Sequence, residues 1–94
     1  MPVMMHMEWD GVTSAQYDVV RERVKWETDV PDGAVLHVAS FDDQGAHITD
    51  VWESAEAFER FVSDRLTPVT QAVGLPGEPR VAIRPAHAVF TPGV

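Results

Sequence analysis

The 94-residue chain contains no cysteine, no asparagine, one lysine and one tyrosine. Without cysteine, disulfide staples, zinc–thiolate sites and thiol nucleophiles are excluded, and redox chemistry says nothing about compartment. Positive charge is scarce: seven Lys and Arg face fifteen Asp and Glu, a formal net charge of −8. That balance repels phosphate backbones and anionic lipid, so neither nucleic acid nor a membrane is an expected partner. No apolar run approaches the roughly 20 residues of a bilayer span. The stretch Met1 to Met7 is too short, and lacks the basic lead, for a signal peptide. A cytoplasmic location is the expectation. Repeats and low-complexity segments are absent as well, which leaves a single domain over residues 1–94. A domain of this size buries only about 60–65% of its unfolded surface, so a second copy of the chain is the natural source of further burial.

What is present is a hydrophobic period that switches between two and about 3.6. Val3-Met4-Met5-His6-Met7-Glu8-Trp9 is a first strand, apolar on both faces as a central strand requires, and Asp10-Gly11 ends it. Thr13, with Gln16 three residues on, makes a capping box. Tyr17, Val20 and Val24 share one face of the helix behind it, on which Trp26 is also placed. Residues 34–41 and 46–53 form two strands around the polar turn Asp42-Asp43-Gln44-Gly45. Ser54 caps a second helix with an apolar stripe of Phe58, Phe61, Val62, Leu66 and Val69. Pro68 would strip a hydrogen bond in mid-helix, so a kink or restart near Thr67 is predicted, the restart with Thr67 as a fresh N-cap and the continuation ending at Gly74. After the stiff link Pro76-Gly77-Glu78-Pro79, residues 80–90 are a fourth strand whose Pro85 belongs on an edge or at a bulge.

The order strand, helix, strand, strand, helix, strand is the ferredoxin-like split βαβ pattern, an α+β antiparallel sheet with both helices on one face. The other face carries Leu36, Val38 and Val51. These are too apolar for open water, and a second copy packed sheet to sheet is the economical cover. The predicted assembly is a homodimeric α/β barrel.

Turn chemistry then sets a register. With Asp42 opposite Gly45, antiparallel pairing puts His37 across from Asp50, on the face shared by Trp52, Val35 and Ala39. A slip of one residue would turn Asp50 to the opposite face. A carboxylate beside an imidazole fixes its tautomer and favours its charged form, while burial pushes the other way, which suits a base working near neutral pH. His37 is therefore the candidate base, Asp50 its orienting partner and Trp52 the aromatic wall. Tyr17 from the helix side, His6 on the first strand and His87 on the fourth are further candidate substrate contacts. The same His–Asp pair is also what a satisfied structural hydrogen bond looks like. Cavity volume separates the two readings, since an enzyme needs some ~300 Å³ or more and a packed core leaves nothing larger than a water. The parity of His47 separates it from His37 and turns it toward the face of the second copy. No helix carries ligands at i, i+4 spacing, so no metal site is predicted. Glu8 and Glu53 are read as strand-end carboxylates without a partnership.

The run Asp50-Val51-Trp52-Glu53-Ser54-Ala55-Glu56-Ala57-Phe58-Glu59-Arg60-Phe61, with the preceding hairpin and Leu66-Thr67-Pro68, resembles the antibiotic biosynthesis monooxygenase-like superfamily of dimeric α/β barrels. The resemblance spans nearly the whole chain. It implies a pocket between sheet and helices lined by a strand Trp matching Trp52. The superfamily includes cofactor-free oxygenases of anthrone- or quinol-type polyketides, haem-degrading enzymes and proteins without catalysis. The chain departs from it twice. The first-strand Asn of catalytic members has no counterpart, His6 being the nearest polar residue there. The ligating His of haem-degrading members is missing from Leu66-Thr67-Pro68-Val69-Thr70-Gln71. The expectation is a small enzyme that needs no cofactor, an oxygenase or cyclase/isomerase acting on a hydrophobic aromatic or polyketide-like molecule. The alternative is a non-catalytic homodimer with a ligand-binding or structural role.

Overall fold

In a computed structural model that describes residues 1–93, β1 (Val3–Asp10) runs through the middle of a four-stranded antiparallel sheet. β3 (Gly45–Trp52) pairs on one side of it and β4 (Arg80–Pro85) on the other, with β2 (Ala34–Asp42) outermost beyond β3. The order β2-β3-β1-β4, with helices on one face, is the ferredoxin-like α+β fold. The helices are α1 (Ser14–Val24), α2 (Ala55–Phe61) and α3 (Thr67–Val73), the last two joined by a π-helical turn at Val62–Leu66. Met5, Met7 and Trp52 from the sheet meet Ala57 and Phe58 from α2, and these five residues form the central cluster of the core. No helix among the described residues is long and apolar enough to cross a membrane.

The hairpin that fixes the register is built by two residues. Asp42 Oδ1 accepts the backbone N–H groups of Gln44 at 2.9 Å and Gly45 at 3.2 Å, which closes the turn. Gly45 sits at φ +145°, and a Cβ there would lie 2.2 Å from the carbonyl oxygen of Trp9. Only glycine lets the end of β1 come that close.

Four local readings need correction. β2 carries an irregularity between Ala34 and Leu36, so Ala34 takes the place opposite Trp52 and Val35 is the extra residue. α1 stops at Val24, where Lys25 enters the left-handed region at φ 62°, and Trp26 lies in the turn beyond. Thr67 is not a fresh cap: its φ of −58° and ψ of −44° are helical, and its N–H reaches back five residues to Val62. The wide turn slips the hydrogen-bond ladder by one residue just before Pro68, which accommodates the missing donor without a break. Finally, β4 ends at Pro85 rather than continuing to residue 90. Proline sits at the end of an edge strand, where no ladder bond is forfeited.

Candidate functional site

The helix-facing side of the sheet encloses, with α1 and α2, an apolar cavity of about 220 Å³. Met5, Met7, Trp52 and Phe58 supply its floor and wall, and Tyr17 and His37 stand at its border. The volume is below the ~300 Å³ of a drug-sized pocket. It is nevertheless far larger than the one-water space that a packed core tolerates.

A continuous chain of hydrogen bonds runs along this border. The register places His37 opposite Asp50, and His37 Nδ1 lies 2.7 Å from Asp50 Oδ1. Trp52 Nε1–H donates to the other carboxylate oxygen, Oδ2, at 3.0 Å. Asp50 is 5% exposed, so as a carboxylate it offers only acceptors and both neighbours must donate to it. His37 then carries its proton on Nδ1, and its Nε2 accepts from the Tyr17 hydroxyl at 2.7 Å. Rings frame the imidazole: Tyr17 lies parallel to it, and Trp26 approaches to 5.1 Å between centroids. Burial is uneven along this chain. Trp52 and Asp50 are buried, whereas the His37 side chain retains 33% exposure at the cavity mouth.

Burial pushes the Tyr17 hydroxyl above its ordinary value, with Asp50 a lesser contributor in the same direction. The folded state therefore favours the neutral phenol, and the stability this brings is present below the unfolded value near 10 and lost as pH rises through the folded one. Tyr17 is the only tyrosine in the chain. An alkaline titration followed by near-UV tyrosinate absorbance is thus expected to show one transition, centred above 10, that moves down on unfolding in denaturant. A midpoint at or below 10 in the folded protein would contradict the partial burial of this hydroxyl.

Two of the candidate contacts lie elsewhere. His6 falls between Met5 and Met7 on β1, so strand alternation turns it to the open face, where Nδ1 lies 3.3 Å from Thr49 Oγ1. His87 follows the end of β4 and is exposed, outside the cavity border. Val35 does border the cavity, although it is the bulged residue.

The open face also contains partnerships that sequence reasoning missed. Glu8 pairs with Arg80 at 2.8 Å and with His6 at 3.4 Å, and His47 Nε2 lies 2.8 Å from Asp42 Oδ2. Arg80 also grips Asp10, and its guanidinium holds both carboxyls below the usual carboxylate range. The Arg80 contacts with Glu8 and Asp10 cross from β1 to β4, a pairing between strands distant in sequence that no short turn dictates.

No family model and no curated protein sequence matches the chain. Solved structures do. The protein of unknown function NE2512 from Nitrosomonas europaea superposes with a TM-score of 0.75 at 12% identity, over 99% of this chain and 96% of that one. SnoaB from Streptomyces nogalater, a cofactor-independent oxygenase, gives 0.64 at 15% identity over 95% of both chains. The ActVA-Orf6 monooxygenase of Streptomyces coelicolor, solved with the ligand nanaomycin D, gives 0.57 at 19% identity over 97% of this chain and 91% of that one. The chain shares its ferredoxin-like α+β fold with these proteins. In that fold, the cavity described above lies between the sheet and the helices, and the His37–Asp50 pair stands at its mouth.

Proposed function

We propose that this chain is a small cofactor-independent enzyme that takes a proton from a hydrophobic aromatic substrate, with His37 as base and Asp50 orienting it. The carrying observation is the 2.7 Å His37–Asp50 contact at the mouth of an otherwise apolar cavity. Tyr17 occupies the basic nitrogen as a donor, and a substrate hydroxyl replaces it there. The proton passes to His37 Nε2, the imidazolium is stabilised by the buried carboxylate, and the substrate is left as a phenolate or enolate. An oxygenase then uses dioxygen as co-substrate, converting a CH₂ and O₂ to a C=O and water. A cyclase or isomerase instead returns the proton from the imidazolium after the carbon skeleton rearranges. Both begin with the same step.

Cavity size narrows the substrate. An apolar cavity of about 150 Å³ accepts benzene, so 220 Å³ suits one aromatic ring or two fused rings better than three or four. SnoaB, a cofactor-independent oxygenase, and the ActVA-Orf6 monooxygenase with its small-molecule ligand share the fold and support a cofactor-independent enzyme acting on a small molecule. The open sheet face supports a homodimer, because Met4, Leu36 and Val38 stand 42%, 41% and 52% exposed on it and a second copy would cover them.

A binding homodimer without turnover is the second reading. It is favoured by the completeness of the hydrogen bonding, since no buried side-chain nitrogen or oxygen among the described residues lacks a partner. Thermal-shift and tryptophan-fluorescence titrations against quinols, naphthols, anthrones, polycyclic phenols and haem test the binding that both readings need. Saturable stabilisation is expected for the one- and two-ring phenols, with quenching that is lost in Trp52→Phe. A flat response across the panel would sink both readings.

A further inference from the structure

Away from the cavity, the open face of the sheet brings two imidazoles and a carboxylate together. His6 and Glu8 alternate on β1, and the β1–β3 register sets Glu8 directly opposite His47. One ligand atom from each lies within 4.8 Å of the other two. The separation between His6 Nε2 and Glu8 Oε1, 3.4 Å, is long for a charge-assisted hydrogen bond, which runs at about 2.7–2.9 Å. It matches the edge of a tetrahedron built on metal–ligand bonds of about 2.1 Å, which is roughly 3.4 Å.

The supporting partners are those of a ligand set. His6 has its other ring nitrogen, Nδ1, against Thr49 Oγ1, and His47 has Nε2 against Asp42 Oδ2, leaving Nδ1 free to coordinate. Hydrogen bonds of this kind fix the tautomer and the plane of a ligating imidazole. Asp42 is itself pinned by the turn amides of Gln44 and Gly45. Glu8 gives Oε2 to Arg80 and keeps Oε1 toward His6. Around the cluster stand three carboxylates, Glu8, Asp10 and Asp42, against one guanidinium, Arg80. With neutral imidazoles the local charge is negative, which draws a dication.

We propose that His6, Glu8 and His47 bind one divalent transition-metal ion of the zinc class, with water in the open position. Two imidazoles with one carboxylate favour such an ion over magnesium or calcium, which take oxygen ligands. The site lies on the sheet face opposite the cavity, the face a second copy would cover, and stands independently of the proposed reaction.

The test is a Co²⁺ titration of the purified protein, followed by the visible d–d bands of a low-coordinate cobalt ion and reversed by Zn²⁺. One Co²⁺ per chain is expected. His6→Ala and His47→Ala abolish the bands, as do His6→Gln and His47→Gln, which keep a polar side chain on this partly exposed face. Glu8→Gln weakens binding, and Asp42→Asn weakens it about 10- to 100-fold through the imidazole it holds. His87→Ala leaves it unchanged. Wild-type protein without d–d bands would overturn the proposal. So would bands that persist in both His6→Ala and His47→Ala, because the ion would then sit elsewhere.

Discussion

His37→Ala is expected to lower turnover of a stabilising phenol by about 10²- to 10⁴-fold, the range a positioned general base contributes. The fold should survive, because the His37 side chain is one-third exposed and stands at the mouth rather than in the core. Its loss leaves Asp50 still accepting from Trp52, with the freed oxygen facing the opening and reachable by water. Steady-state kinetics beside a thermal melt separates the two readings. A collapse of kcat with ligand affinity and melting temperature nearly retained marks a base. Equal loss of affinity and stability with no turnover in the parent protein marks a structural hydrogen bond.

The second large effect belongs to the partner. Asp50→Ala is expected to destabilise the protein by about 3 kcal/mol, since a buried carboxylate that holds two donors is worth more than a surface pair. The reason lies with Trp52. Its Nε1–H donates to Asp50 Oδ2, and with the indole 3% exposed that donor would be left without an acceptor in the core. For a domain of about this size, 3 kcal/mol moves the melting temperature on the order of 10–20 °C. Asp50→Asn should cost about half as much, because one amide oxygen can serve only one of the two donors well. A chemical-denaturation midpoint unchanged in Asp50→Ala would show that the carboxylate does not tie the core together.

How much of this was legible in the chain depended on how far each contact reaches along the sequence. The His37–Asp50 pairing spans a hairpin whose turn is dictated by Asp42 and Gly45, so counting residues outward from the turn was enough. The capping box of Thr13 and Gln16 and the Ser54 cap are equally local, and both are found. Tyr17 was visible as a helix residue facing the sheet, but its 2.7 Å contact with His37 depends on how α1 packs. The His6–Glu8–His47 cluster required the β1–β3 register, and strands joined through a helix carry no turn from which to count it. Pro68 was legible as a disturbance only. What local patterning does not show is the five-residue reach of the Thr67 N–H to Val62, which widens the turn and carries the helix past the proline. His87 was misplaced because Pro85 ends the strand instead of interrupting it.

The extra residue at Val35 separates two kinds of variation. The position of His37 is measured from the Asp42–Gly45 turn, whereas residues 25–33 join the sheet on the far side of the irregularity. That joining segment includes Trp26, Val30 and Pro31, which border the cavity. The bulge therefore acts as an expansion joint: residues gained or lost upstream shift the chain only as far as Val35. The mouth of the cavity can be recut to suit a different molecule while the imidazole and its carboxylate stay in place.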